Sequence, residues 1–312
     1  MDVSFAKRMA AFIAGAWRAR PDDSSEDTED VPGVEALRVR LTTAVGRREW
    51  AAAMASADAL LRVTPGDPQA HYWSGVVRKK LDDTSGAIES FRRCVEIEPR
   101  HDNGWLQLGV LQAARNEHDA AKSSLNQAIA LKPSAEGCFR LGMVLSSTEA
   151  WLEARSMYER AVEVDPSHAW AHDKLGHLLF TRFDDAPGAL EHIERALSIR
   201  PDFEEAQLNR LMVMQFRAHC EDVVERADAI IGVSGFNPKV AFARGIARLS
   251  MGEFDRGWDD YAARLLIQPT RYKPRVFTQP EWEGEDASGR TLLVYGEQGL
   301  GDEIMFASCF GE

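Results

Sequence analysis

Cysteine is scarce in this 312-residue chain, and its four copies, Cys94, Cys138, Cys220 and Cys309, never form a C-x-x-C pair. That spacing gives neither a disulfide framework nor a zinc knuckle, and it fits a reducing, cytoplasmic compartment. A basic stripe is missing too: 37 Lys and Arg face 49 Asp and Glu, for a formal net charge of −12. Polyanions select basic surface, so the balance argues against nucleic acid as a partner. No apolar run approaches the ~20 residues that a membrane-spanning helix needs. Hydrophobic residues make up 45% of the chain, an ordinary share for a folded soluble protein and too high for disorder. The length admits two average domains or one extended repeat array.

The ends differ from the middle. Residues 1–20 read as a short amphipathic helix, with Lys7 and Arg8 ahead of the apolar stretch from Met9 to Trp17. Ala14-Gly15-Ala16 resembles a signal-peptidase site, but the apolar run is at the short limit and Arg18 follows at once. Export and membrane-surface contact are therefore weaker readings than a loosely held terminal helix. Residues 21–33 form a solvated linker, six acidic residues and no basic one lying between Pro21 and Asp30.

Between these ends the sequence repeats itself. Prolines fall at Pro65, Pro99, Pro133, Pro166 and Pro201, in steps of 34, 34, 33 and 35 residues. Glycines fall at Gly75, Gly109, Gly142 and Gly176. Small residues recur as Ala87, Ala121, Ala154 and Ala189, then as Cys94, Ala128, Ala161 and Ala196. Large apolar residues stand between them: Phe91, Leu125, Tyr158 and Ile193. Four registers share one period, which is the signature of stacked supersecondary units. The residue types suit two antiparallel helices. Each glycine lets the first helix approach the second, each large apolar residue is expected to fill space between neighbouring pairs, and each proline closes a unit.

The pattern resembles the tetratricopeptide repeat (TPR). Trp105, Leu108 and Gly109 match its W-x-x-L-G opening, and Leu141-Gly142 and Leu175-Gly176 match its last two positions. Weaker copies flank residues 68–203, giving about seven units over residues 34–267, with degenerate terminal ones as caps. The resemblance implies an all-α fold, a right-handed superhelical solenoid whose first helices line a concave groove. Projected onto this chain, the groove takes Tyr72, Val76, Lys79, Leu106, Val110, Phe139, Met143, Trp170, Phe180, Met212, Phe216 and Phe242. Aromatic and apolar residues in a concavity suit a peptide or an extended protein segment. The bland alternative is that several pack between helices, since a half-turn error in register would bury them.

One relative limits the analogy. In the TPR arm of O-GlcNAc transferases, asparagines repeat along the groove and grip peptide backbone. The matching positions here are Trp73, Gln107, Arg140, Lys174, Asn209 and Ala243, so only Asn209 fits. His168 and His172 lie four apart, with His177 five further on, but no third ligand completes a zinc set. No metal and no cofactor is expected.

Past residue 267 the composition changes. Pro269, Pro274 and Pro280 make residues 268–290 an extended linker. Residues 291–295 then read as a short strand, followed by Gly296-Glu-Gln-Gly-Leu-Gly301 and a helix from Asp302, the opening of an α/β domain over 291–312. Gly299 and Gly301 are candidates for cradling a diphosphate, although Ile304 stands where a dinucleotide fingerprint needs its third glycine. The ordered series Gly252-Glu-Phe254, Gly257-Trp258, Tyr261, Arg264, Pro280-Glu-Trp282-Glu-Gly284 and Glu297 to Asp302 resembles bacterial proteins in which a TPR array runs into a glycosyltransferase-like domain of the GT-B type. Lipopolysaccharide heptosyltransferases look related to that domain, and Gly301-Asp302 matches their Gly-Asp pair. The match implies that Asp302 is a general base toward an acceptor hydroxyl, with a sugar nucleotide as donor. Capping the helix explains Asp302 equally well. A sheet needs neighbours, so one strand and one helix read as the start of a domain continued in a longer protein. Three functions fit this reading: a protein-binding module, the arm of a sugar-nucleotide-dependent transferase, and a self-assembling scaffold.

Overall fold

A unit of 34 residues has room for two helices of about 13 residues and two tight turns. The computed structural model describes residues 32–267, and each unit there divides in that way. The first pair is α1 (Pro32–Arg47) with α2 (Trp50–Val63), and the second is α3 (Pro68–Lys80) with α4 (Thr84–Ile97). The third and fourth are α5 (Asp102–Ala114) with α6 (His118–Leu131) and α7 (Ala135–Ser147) with α8 (Trp151–Val164). There follow α9 (Ala169–Phe183) with α10 (Ala186–Ile199), α11 (Glu204–Phe216) with α12 (Cys220–Ser234), and α13 (Pro238–Ser250) with α14 (Phe254–Tyr261). A single turn, α15 (Arg264–Ile267), ends the described residues, which are all-helical and fall into seven successive helix pairs of the solenoid type. The N-terminal helix, the acidic linker and the strand–loop–helix segment expected after residue 267 lie outside them.

Each unit reverses direction on one residue in the left-handed region. Arg48, Asp82, Asn116, Glu149, Asp184, Ala218 and Gly252 have φ between 53° and 82° and join the first helix of each pair to the second. The following residue donates its N–H back into the helix just ended, as from Glu117 to Gln112 O at 2.9 Å. That bond satisfies a carbonyl left orphaned at the helix end. Starts are capped by side chains: Asp67, His101, Ser134, His168 and Asn237 accept backbone N–H bonds at α3, α5, α7, α9 and α13.

The glycines are where the two helices of a pair meet. A Cβ added at Gly75 would lie 2.8 Å from a ring carbon of Phe91, at Gly109 2.7 Å from Leu125, and at Gly142 2.6 Å from Tyr158. Phe91, Leu125, Tyr158 and Ile193 are all buried. Each therefore rests on bare backbone within its own pair. At Gly176 the obstruction is partly main chain, with Ala189 O at 2.8 Å. The prolines lie in the loops between pairs, and their carbonyls are held from the next helix. Trp105 Nε1 donates to Pro99 O at 2.9 Å, and His71 Nε2 meets Pro65 O at the same distance. His172 Nε2 lies 3.3 Å from Pro166 O.

The chain divides into two compact units, residues up to Ala206 and residues from Gln207, with the division inside α11. In the first, successive helices pack in order from α1 to α10, and α5 also touches α7 directly. In the second, α12 packs on α13 and α13 on α14. Charge supplements packing there. Arg244 donates to both oxygens of Asp260 at 2.6 and 2.8 Å and also pairs with Asp228, while Arg248 donates to Asp260 at 2.7 Å. These two arginines and Asp260 are at most 16% exposed.

Two outcomes follow from this packing. Gly176→Ala drives a methyl group into main chain and should lower stability by about 1–3 kcal/mol, whereas Gly66→Ala, with open space around it, should shift the urea midpoint hardly at all. Asp260→Ala leaves two little-exposed guanidiniums short of a partner and should cost about 3 kcal/mol in the same assay.

Candidate binding face

The first helices of successive pairs carry the predicted groove residues, and the structure sorts them by register. Tyr72 and Phe139 are buried. Tyr72 packs edge-on to Trp73 at 5.3 Å and against Phe91 and His101, and burial pushes its phenol up to about 12. Phe139 packs against Tyr158 and His168. For these two the alternative of packing between helices holds, and neither is offered to a ligand. Val76, Lys79, Leu106, Val110 and Phe180 are half-buried, whereas Met143 is 39% and Trp170 42% exposed. Trp170 lies on Phe203 with ring centroids 4.4 Å apart, and the Arg200 guanidinium is 5.9 Å from its ring. Met212, Phe216 and Phe242 belong to the second unit. There Met212 is half-buried, Phe216 exposed, and Phe242 packed on Tyr261 at 5.3 Å. Asp302, Gly299 and Gly301 lie outside the described residues.

The asparagine-ladder register of the first unit holds buried Trp73, then three polar side chains, two of them cationic. Gln107, Arg140 and Lys174 follow one another on α5, α7 and α9, and Lys79 of α3 reaches across to Gln107 Oε1 at 2.9 Å. Arg140 Nε donates to Glu136 at 2.6 Å, and Lys174 is paired with Glu205 and with buried Asp173. A second polar row runs along the helix starts. His101 caps α5 through Nδ1, and its Nε2 meets Gln69 Oε1 of α3 at 2.9 Å. His168 repeats the device, capping α9 and meeting Glu136 of α7 at 3.4 Å. The capping position and the position two residues later both recur with the period. Their pairing across units was readable as polar residues about 32 apart, but the identities differ enough to hide it.

Two further histidines pack on each other. His172 and His192 face each other, Nδ1 to Nδ1, at 3.1 Å, and burial lowers the pKa of both rings. His172 Nε2 points at the Pro166 carbonyl, which can only accept, so His172 carries that proton and its Nδ1 accepts from His192. Among the described residues no group of three or more His, Cys, Asp or Glu is placed to hold a metal ion. No described helix is long and apolar enough to cross a membrane.

Helix pairs of this length, closing on glycine and stacked by loop prolines, define the class: residues 40–168 carry tetratricopeptide repeats. Family models described as tetratricopeptide repeat match residues 40–102, and residues 103–134 and 135–168. Among curated proteins, FlbA of Caulobacter vibrioides is 27% identical over 297 residues, covering 93% of this chain and 49% of FlbA. Anaphase-promoting complex subunit 3 of Schizosaccharomyces pombe is 23% identical over 172 residues, covering 55% of this chain and 25% of that protein. The chain thus spans about half the length of the first relative and a quarter of the second. The crystal structure of PilW, a type IV pilus biogenesis factor, superposes with a TM-score of 0.59 at 14% identity, over 69% of this chain and 98% of PilW, a likeness of fold alone.

Glu136 provides a pH test of the polar row. Its pKa is held down to about 2, first by the bond to His168 and then by Arg140. A carboxyl with a folded-state value below its unfolded one, about 4.3, stabilises fully above the unfolded value and loses that contribution as pH falls through the folded one. The stability difference between the native protein and Glu136→Gln should therefore shrink as pH falls from about 4.3 and be lost below about pH 2. A difference that grows over that acid range contradicts the pairing.

Proposed function

We propose that the face built from α3, α5, α7 and α9 binds an extended peptide or a peptide-like segment of a protein partner. The observation that carries this reading is the exposure of Met143 and Trp170 on successive first helices, beside a row of donors at Lys79, Gln107, Arg140 and Lys174. Large apolar side chains left open within a well-packed stack are typical anchors, and neighbouring long polar groups can pair with peptide backbone.

A second reading concerns a longer protein. The match to FlbA takes in 93% of this chain, more than residues 32–267 contain, so the likeness is not one of repeats alone. In this reading the array is the N-terminal arm that delivers an acceptor protein to a glycosyltransferase-like domain beginning near residue 291. Asp302 would serve as its general base, and Gly299 and Gly301 would lie against the diphosphate of a sugar nucleotide. It rests on sequence resemblance. Loss of sugar transfer from a nucleotide donor on Asp302→Asn, in the protein at its natural length, supports it, and unchanged transfer removes that role.

The binding face is tested by separating capture from folding. Trp170→Ala with Met143→Ala should weaken retention on immobilised extended peptides at least tenfold while costing about 1 kcal/mol of stability, the scale of one aromatic stack. Phe139→Ala should instead cost about 3–5 kcal/mol, because its ring is core. Equal unfolding by both changes, read from urea midpoints, would make Trp170 and Met143 core residues as well.

A further inference from the structure

In the second and third pairs a polar residue of the second helix reaches one of the first. Ser90 Oγ lies 3.4 Å from Ser74 Oγ, and Ser124 Oγ donates to Gln112 Oε1 at 2.7 Å. His192 holds the same place on α10, just before Ile193 as Ser90 and Ser124 stand just before Phe91 and Leu125. Its partner on α9 is His172, which is buried, and the ring centroids are 5.3 Å apart. Hydroxyl and amide groups keep their protons throughout the physiological range, whereas imidazoles titrate within it. The fifth pair has thus put two titratable rings where its neighbours have none.

The protons on this pair can be counted. With both rings neutral, His172 holds its proton on Nε2 against the Pro166 carbonyl, and His192 donates Nδ1–H to His172 Nδ1 across 3.1 Å. A first added proton enters at His192 Nε2 and leaves both bonds intact. Burial opposes it, while Glu191, Glu159 of α8 and Asp185 at the start of α10 favour it. A second proton has only His172 Nδ1 to occupy, where it meets the Nδ1–H of His192 head-on. Burial, His192, Arg195 of α10 and His168 all oppose charge on that ring, and the nearby carboxylate of Asp165 is already bound by Ser167. We propose that His172 and His192 form an acid-operated latch between α9 and α10, which one added proton leaves closed and a second opens. A ring whose folded pKa lies below its unfolded value, about 6.5, stabilises fully above that value and loses the contribution as pH falls through the folded one. The helix so fastened, α9, is the one that carries Trp170 and Lys174.

The test uses the full chain. Ring resonances of the native protein, assigned by side-chain to backbone correlations and followed by NMR from about pH 8 to about pH 4, should show two protonation steps at least about one pH unit apart, His192 leading. Hydrogen exchange, corrected for its intrinsic pH dependence, should show α10 amides losing protection at least about tenfold between about pH 7 and about pH 4.5, while α6, which has Ser124 in place of the histidine, changes far less. His192→Ser keeps a donor for His172 Nδ1 without a second charge, and should remove most of the loss in α10. Two rings that titrate together at the ordinary histidine value overturn the latch. So does an equal loss of α10 protection in the native chain and in His192→Ser. The NMR titration needs no variant, so it decides the matter even where His192→Ser is unstable.

Discussion

The stack depends on one contact made in four successive pairs: a large side chain of the second helix lying on the bare backbone of the first. At Gly75, Gly109, Gly142 and Gly176 there is no room for even one methyl group. This sets the distance between axes, and the rest follows from it. Helices held so close must reverse within two or three residues, which a left-handed residue at the turn accomplishes. The buried alanines at 87, 121, 154 and 189 keep the second helix equally slim on the facing side. In the second unit, Gly245 plays the same part more severely, since an added Cβ would lie 2.6 Å from the Tyr261 backbone nitrogen.

That contact explains why the fold was legible in the sequence. Glycine, alanine and proline each have one physical reason to recur at a fixed position, so their period stands out and fixes the helix pairs. Other periodic features use roles that several residue types can fill. The reversing residue is Arg, Asp, Asn, Glu, Ala or Gly, because the turn imposes the conformation on whatever occupies it. The clip onto the loop proline is Trp105 in one unit and a histidine at 71 and 172, which share only a ring nitrogen at the right height. Identity matching sees the first kind of position and misses the second. The seat of Phe91 and its equivalents was only half legible for a related reason. Periodicity says that they are buried, not which helix they are buried against.

Burial divides the projected groove residues in a way that the sequence did not show. Tyr72 and Phe139 stand three residues before their glycines, nearly one turn along, and so share the side that presses on the second helix. Asp173 holds the same register and is likewise fully buried. Met143 follows its glycine by one residue and Trp170 precedes its own by six, and both angles turn the side chain outward. A helix face is about 100° wide, so a single projection of groove residues took in both sides of its edge.

The charged register adds a constraint on what the face can hold. Asparagines spaced along a groove pair with backbone amides, which every peptide has, and so are indifferent to sequence. Gln107, Arg140 and Lys174 occupy that register here, and two of the three carry charge. Charged donors bind carboxylates more strongly than they bind amides, and they stay costly to bury when no carboxylate arrives. An occupant lacking acidic groups would leave Lys79 with Gln107, and Arg140 with Glu136, as the partners already present. On the proposed binding face, discrimination would therefore come as much from the penalty on wrong occupants as from attraction to the right one.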